Sequence, residues 1–263
     1  MNASTCIPNT LRNACAALML LVLQACATGP NVNPVDPLEP LNRTVFSLND
    51  GLDRAIFKPV ATAYKAVTPS PVRTGVNNFF NNISDVWSVV NNALQLKPKE
   101  TLETGMRVAV NTFLGLAGVL DIGTEAGLPR NRQDFGQTLG YWGVASGPYL
   151  VLPFFGPSSV RDTVGTVVDS SADLVNNVKN VPTRNSLIGL RVVDKRAEFL
   201  GATDVLDEAA LDKYSFTRDL YLQRRASSIG RALPQNDAAP KEERYDLPAP
   251  GSTAAPTANP AAK

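Results

Sequence analysis

Cys26 is the residue of this chain whose chemistry is most sharply defined by its neighbours. It follows Leu23, Gln24 and Ala25: a branched apolar residue, a variable one and a small one. That order resembles a bacterial lipobox, in which the cysteine is lipidated and becomes the mature N-terminus. The preceding run, Ala14 to Leu23, is about ten apolar residues long, half of the roughly twenty that a membrane-crossing helix needs. With Arg12 as its positive flank it reads as the core of a secretory signal peptide. Several acyl chains, each methylene contributing about 0.8 kcal/mol, would hold Cys26 on a membrane almost permanently.

Other reactive side chains are present in weaker patterns. Asp134 and Asp162 are a candidate carboxylate pair for acid–base work of the glycosidase kind. Capping and ion pairing at helix ends explain the same residues more simply. Ser158 and Ser159 follow Gly156-Pro157, but neither sits in a Gly-x-Ser-x-Gly elbow. The chain contains no histidine, which removes serine–histidine triads, cysteine–histidine pairs and histidine-ligated metal sites together. Gly136, Gly140, Gly143 and Gly147 lack the spacing of a phosphate loop. No cofactor is expected.

Composition narrows the partners. Cys6 and Cys15 fall in the segment to be removed, so no disulfide framework remains. The formal charge of +1 falls to zero without Arg12, with 24 basic against 24 acidic residues. Nucleic acid is therefore not an expected partner, because binding it needs a basic face.

The elements that must position these residues are mainly helical. Residues 26–35 read as a lipidated cysteine with a Pro/Asn-rich tether. Residues 36–233 form one predicted domain, and the Pro/Ala-rich stretch 234–263 reads as disordered. Leu38, Leu41, Val45, Leu48, Leu52 and Ile56 recur on one helix face that ends near Ala66. A second helix from about Val72 carries Phe79, Phe80, Ile83, Trp87 and Val90. A third spans 100–122, with glycines at 105, 115 and 118 that predict a kink or break. The stretches Gln137–Val144 and Tyr149–Phe155, aromatic and β-branched, read as a short β-hairpin or paired extended loops. Ser159-Val-Arg-Asp162 fits a capping box opening a helix to about Val178. Two further helices are predicted over Asn185–Leu200 and Asp204–Ala232. The predicted fold class is mostly α, one domain of amphipathic helices with a small β insertion.

Asp36-Pro-Leu-Glu-Pro-Leu-Asn-Arg43, Pro71-Val-Arg-x-Gly-Val-x-Asn-Phe-Phe80, Asp134-Phe-Gly-Gln-Thr-Leu-Gly-Tyr-Trp-Gly-Val144 and Gly156-Pro-Ser-Ser-Val-Arg-Asp162 resemble the MlaA (VacJ) lipoproteins of Gram-negative outer membranes. So do Asn49-Asp-x-Leu-Asp-Arg54, Gly147-Pro-Tyr-Leu-Val-Leu-Pro153 and Tyr214…Arg218-Asp-x-Tyr-Leu-Gln-x-Arg225. The resemblance covers roughly residues 36 to 230, in order.

It implies a ring of helices embedded in the inner leaflet of the outer membrane, with a central amphipathic channel. The implied role is non-enzymatic: mislocalised outer-leaflet phospholipid is removed and passed to a soluble periplasmic carrier, in company with a trimeric porin. By resemblance, Tyr141, Trp142, Tyr149 and Leu150 are candidates for contact with passing lipid, and Leu41, Asn42 and Arg43 lie in a gating helix. Ala27 stands where an aspartate would signal inner-membrane retention, which fits an outer-membrane address. The rival expectation is a tethering lipoprotein that binds porins and moves nothing. A hydrolase built on Asp134 and Asp162 is a third.

Overall fold

The computed structural model describes residues 33–230. Cys26, the signal segment and the 234–263 tail lie outside the described residues. Helix α1 (Glu39–Leu52) passes through a single π-helical turn (Asp53–Phe57) into α2 (Lys58–Val67). Thr68 then turns extended, as a residue preceding proline must. Helix α3 (Ser70–Leu94) starts with Pro71 in its first turn, where a missing N–H costs nothing. It leads into α4 (Pro98–Phe113) and the short α5 (Ile122–Glu125).

The predicted helix over 100–122 ends early. The backbone leaves the helix after Phe113, and Leu116, Ala117 and Gly118 all take positive φ. Gly118 is required on two counts. Its φ is +92°, and a Cβ there would stand 2.5 Å from the Asn82 side chain.

The predicted hairpin exists in a different register. Gln137–Val144 is not a strand: α6 (Phe135–Tyr141) occupies it, started by the Asp134 carboxylate accepting from the Gln137 N–H at 2.8 Å. Its aromatics serve tertiary contacts instead of cross-strand pairing. The strands are β1 (Tyr149–Leu152) and β2 (Gly156–Ser159), antiparallel, with Tyr149 opposite Ser159 and Leu152 opposite Gly156.

Ser159 caps α7 (Val160–Ala172), accepting from the Asp162 N–H at 3.2 Å. That is half of a capping box, because the Asp162 carboxylate turns to arginines instead. The helix stops six residues short of the expected Val178, at Asp173, whose side chain accepts from the Val175 N–H. Helix α8 (Val181–Glu198) begins earlier than expected, capped by Asn180. The long last helix is two: α9 (Leu200–Ala209) and α10 (Lys213–Ile229), the second capped by Asp212.

The packing closes on itself. Helix α1 touches β1, β2 touches α10, and α10 touches α6; α6 packs on α3, α3 on α8, and α8 on α2, which continues α1. Within this ring the expected distribution of polarity is reversed. Asn82, Asp85, Asn92, Thr104, Arg107 and Asn111 are buried in the seam between α3 and α4. Part of the first apolar stripe faces out instead: Leu41 and Leu48 of α1 and Ile56 of the π-helical turn are 43%, 54% and 52% exposed, while Val45 packs against the Tyr149 cluster. Phe113, Phe154 and Phe155 are more exposed still. Among the described residues only two small apolar clusters are fully buried, around Ala197 and around Tyr149. No helix of the described residues is long and apolar enough to cross a membrane.

Candidate functional site

Helices α3, α7, α8 and α10, with the segment 132–137, wall a cavity of about 700 Å3. That volume lies within the range of small-molecule and lipid-sized sites. Helix α3 lines it with the apolar Phe80, Ile83, Val86, Trp87 and Val90, interspersed with Asn77, Asn81, Ser84 and Ser88. The other elements contribute Arg132, Arg191, Lys195, Arg224 and Arg225, together with Asp134, Asp169 and Asp194. The cavity is amphipathic, its apolar lining coming mainly from α3 and its charged lining from the other elements.

Arg225 organises its inner end. Its guanidinium reaches Asp134 Oδ2 at 2.5 Å and Asp162 Oδ2 at 2.9 Å, joining α10 to the starts of α6 and α7. Tyr221 Oη donates to the same Asp162 oxygen at 2.5 Å. Burial alone would raise the Asp162 pKa. The bonds from Arg225 and Tyr221, with the charges of Arg225 and Arg161, outweigh it and bring the pKa down to about 2. Burial and the hydrogen bond to Asp162 push the Tyr221 hydroxyl above its ordinary range.

Asp169 behaves oppositely. Burial raises its pKa despite bonds from Trp87 Nε1 at 2.6 Å and the Phe135 N–H at 3.0 Å. Asp134 and Asp162 thus share one guanidinium, and Asp162 is held ionised, the opposite of what a general acid requires. Ser158 Oγ bonds Thr163 Oγ1 at 3.0 Å and the Ser159 carbonyl at 3.3 Å. Ser159 is occupied in capping.

The seven residues singled out for channel and gate do not gather in one place, and none lines the cavity. Tyr141 and Trp142 stack edge-to-face beside the end of α3, with Trp142 Nε1 on the Leu94 carbonyl at 3.0 Å and Lys97 over the Tyr141 ring. Tyr149 is a correction: it is fully buried against Tyr214 and Tyr221, so its ring offers no surface to a ligand. Leu150, the next strand residue, is half-buried.

In the gating helix, Leu41 faces out while Asn42 is buried. Asn42 Nδ2 donates to Asp36 Oδ1 at 2.8 Å and to the Tyr149 carbonyl at 3.0 Å, and its Oδ1 accepts from the Val151 N–H at 2.9 Å. Arg43 bonds Glu39 and Asp212 and lies over the Tyr214 ring.

Asn49 repeats the Asn42 clamp two turns on. It donates to the Leu152 carbonyl and accepts from the Phe154 N–H, each at 2.9 Å. The seven-residue spacing of two asparagines was the signal available for it. Arg132 and Arg224 had no such signal, because nothing in the local spacing of Arg130/Arg132 or Arg224/Arg225 relates the two segments.

Both the sequence and the fold have relatives among known proteins. The family model for the MlaA lipoprotein matches residues 34–228. An uncharacterized protein of Rickettsia felis is 35% identical over 209 residues, covering 78% of this chain and 82% of its own. The intermembrane phospholipid transport system lipoprotein MlaA of Escherichia coli (strain K12) is 32% identical over 245 residues, 90% of this chain and 97% of that protein. Its Haemophilus influenzae namesake is 30% identical over 242 residues, 89% and 94% of the two chains. A solved structure bearing on the structural basis for maintenance of bacterial outer membrane lipid asymmetry matches with a TM-score of 0.64 and 33% identity, over 74% of this chain and 98% of that one. With nearly the whole ring of helices inside the matched span, the chain belongs to the MlaA lipoprotein family.

Proposed function

We propose that this chain is an outer-membrane lipoprotein that takes mislocalised phospholipid from the outer leaflet through its cavity and delivers it to a soluble periplasmic carrier. The observation that carries the reading is the amphipathic cavity set inside a ring whose interior is polar and whose outside is apolar. A phospholipid leaving one leaflet must carry its charged head through a hydrocarbon layer, which is costly without polar partners. The charged wall supplies such partners, and the α3 wall receives the acyl chains.

Exposed Leu102, Phe113, Leu116 and Phe154 form the kind of surface that rests in acyl chains. Cys26 anchors the chain on the periplasmic side, with the helices in the inner leaflet and a trimeric porin as lateral partner. No covalent step is involved, and the carboxylates serve in ion pairs. The Escherichia coli and Haemophilus influenzae relatives are named for intermembrane phospholipid transport, which supports this reading.

The test is phospholipid exposed in the outer leaflet of a deletion strain, with and without the gene restored. Accumulation that vanishes on restoration supports removal. No accumulation, with the protein lipidated and in the outer membrane, supports a tether that moves nothing.

A further inference from the structure

Five cations face the cavity, and three of them already have anionic partners. Arg191 lies 2.6 Å from Asp173, Lys195 lies 2.8 Å from Glu198, and Arg225 is shared by Asp134 and Asp162. Arg132 and Arg224 differ. Among the described residues neither forms an ion pair with a carboxylate. Arg132 bonds only the amide oxygen of Asn81. The two come from separate elements, the segment before α6 and the last turns of α10, and both line the cavity.

Their charges oppose each other. Burial and the nearby positive charge of Arg130 lower the proton affinity of Arg132, Asp85 and Glu198 offset part of this, and Arg224 adds a smaller repulsion. Two uncompensated guanidiniums in a partly desolvated space are unfavourable until an anion joins them. The planar fork of arginine suits the paired oxygens of a phosphate. A free inorganic phosphate would use those cations and leave the adjoining apolar wall of Ile83, Val86 and Val90 bare. A lipid phosphodiester satisfies both walls at once.

We propose that Arg132 and Arg224 form the binding site for the phosphodiester of a phospholipid headgroup, with the acyl chains lying along Ile83, Val86 and Val90. This rests on the lipid-transport reading above and adds the residues that hold the cargo.

The experiment uses the full lipidated protein in detergent, titrated with fluorescent short-chain phosphatidylglycerol and with a diacylglycerol bearing the same chains. Inorganic phosphate serves as competitor. The wild type should prefer the phosphate-bearing lipid by roughly tenfold or more, from charge-assisted hydrogen bonds. R132Q/R224Q should lose that preference while its diacylglycerol affinity and thermal unfolding stay unchanged, and R132K/R224K should recover part of it.

A double variant that keeps the preference overturns the assignment and leaves the lipid cavity standing. Displacement of the lipid by an equal concentration of inorganic phosphate overturns the headgroup as the source of the anion. A wild type that binds neither lipid overturns the transport reading, and this site with it.

Discussion

Asn42 joins three parts of the chain that are remote in sequence: the Asp36 carboxylate, strand β1 and, through Asp36, the Tyr214 hydroxyl on α10. Asn42→Ala would take from the Tyr149 carbonyl, the Val151 N–H and one oxygen of Asp36 the hydrogen bond each makes to this side chain. We expect a loss of about 2–4 kcal/mol, read by thermal or denaturant unfolding. Asp169 gives the contrary expectation. Both donors to it, Trp87 Nε1 and the Phe135 N–H, approach the same oxygen, and an asparagine side chain in its place would still present a carbonyl oxygen there. Asp169→Asn should therefore change unfolding by less than about 1 kcal/mol at neutral pH, whereas Asp169→Ala costs about 2 kcal/mol.

Asp162 supplies the pH dependence. Its pKa is lower in the fold, about 2 against an ordinary 3.8. The contribution, roughly 2 kcal/mol, is complete above pH 4 and is lost as the pH falls towards 2. The stability gap between wild type and Asp162→Asn should narrow over that window. A gap independent of pH there would show that the Arg225 pairing is not what lowers the pKa.

At the scale of elements, α6 and α7 approach so closely that a Cβ on Gly165 would stand 2.5 Å from the Gly136 backbone nitrogen. Backbone cannot step aside as a flexible side chain can. Gly165→Ala should push the two helices apart, cost about 2 kcal/mol or more, and loosen the Arg225–Asp134–Asp162 junction. The hairpin is held differently, by the paired clamps Asn42 and Asn49 on one face of α1. Leu41, about 100° round α1 from Asn42, has its side chain exposed. Leu41→Asp is expected to leave detergent-solubilised stability within about 0.5 kcal/mol of wild type. It should nonetheless impair the outer membrane in cells, read as increased permeability. Normal membrane integrity in that strain would count against an apolar α1 face lying in lipid.

For the whole molecule, the closed ring with polar seams and an apolar outside is the property that any account of function must use. The structure buries Arg107 with Asp85 and Asp121 between α3 and α4 while leaving phenylalanines on the outside. In water that arrangement forgoes much hydrophobic stabilisation. Against acyl chains it does not. How much of this was legible beforehand varied by element. The ends of α1–α2 and of α3 were marked by Pro69, Pro71 and Pro98, and the Asp134 and Ser159 caps by their types. The strand reading of Gln137–Val144 failed because aromatic, β-branched residues report burial potential without saying which element uses it. The last predicted helix split at Asp212, whose capping geometry depends on the backbone around it.

Residue types and their local spacing were enough for the helical class, the bounds of the first two helical stretches and, through the motifs, the family. Only the folded chain settles which face of each helix points outward and that the packing closes into a ring. The same holds for Arg132 and Arg224, which both line a cavity that neither Tyr141 nor Tyr149 lines. Periodicity shows that a helix has an apolar face. It does not say whether protein or solvent covers that face, and charges 92 positions apart share a site only after the chain has closed around it.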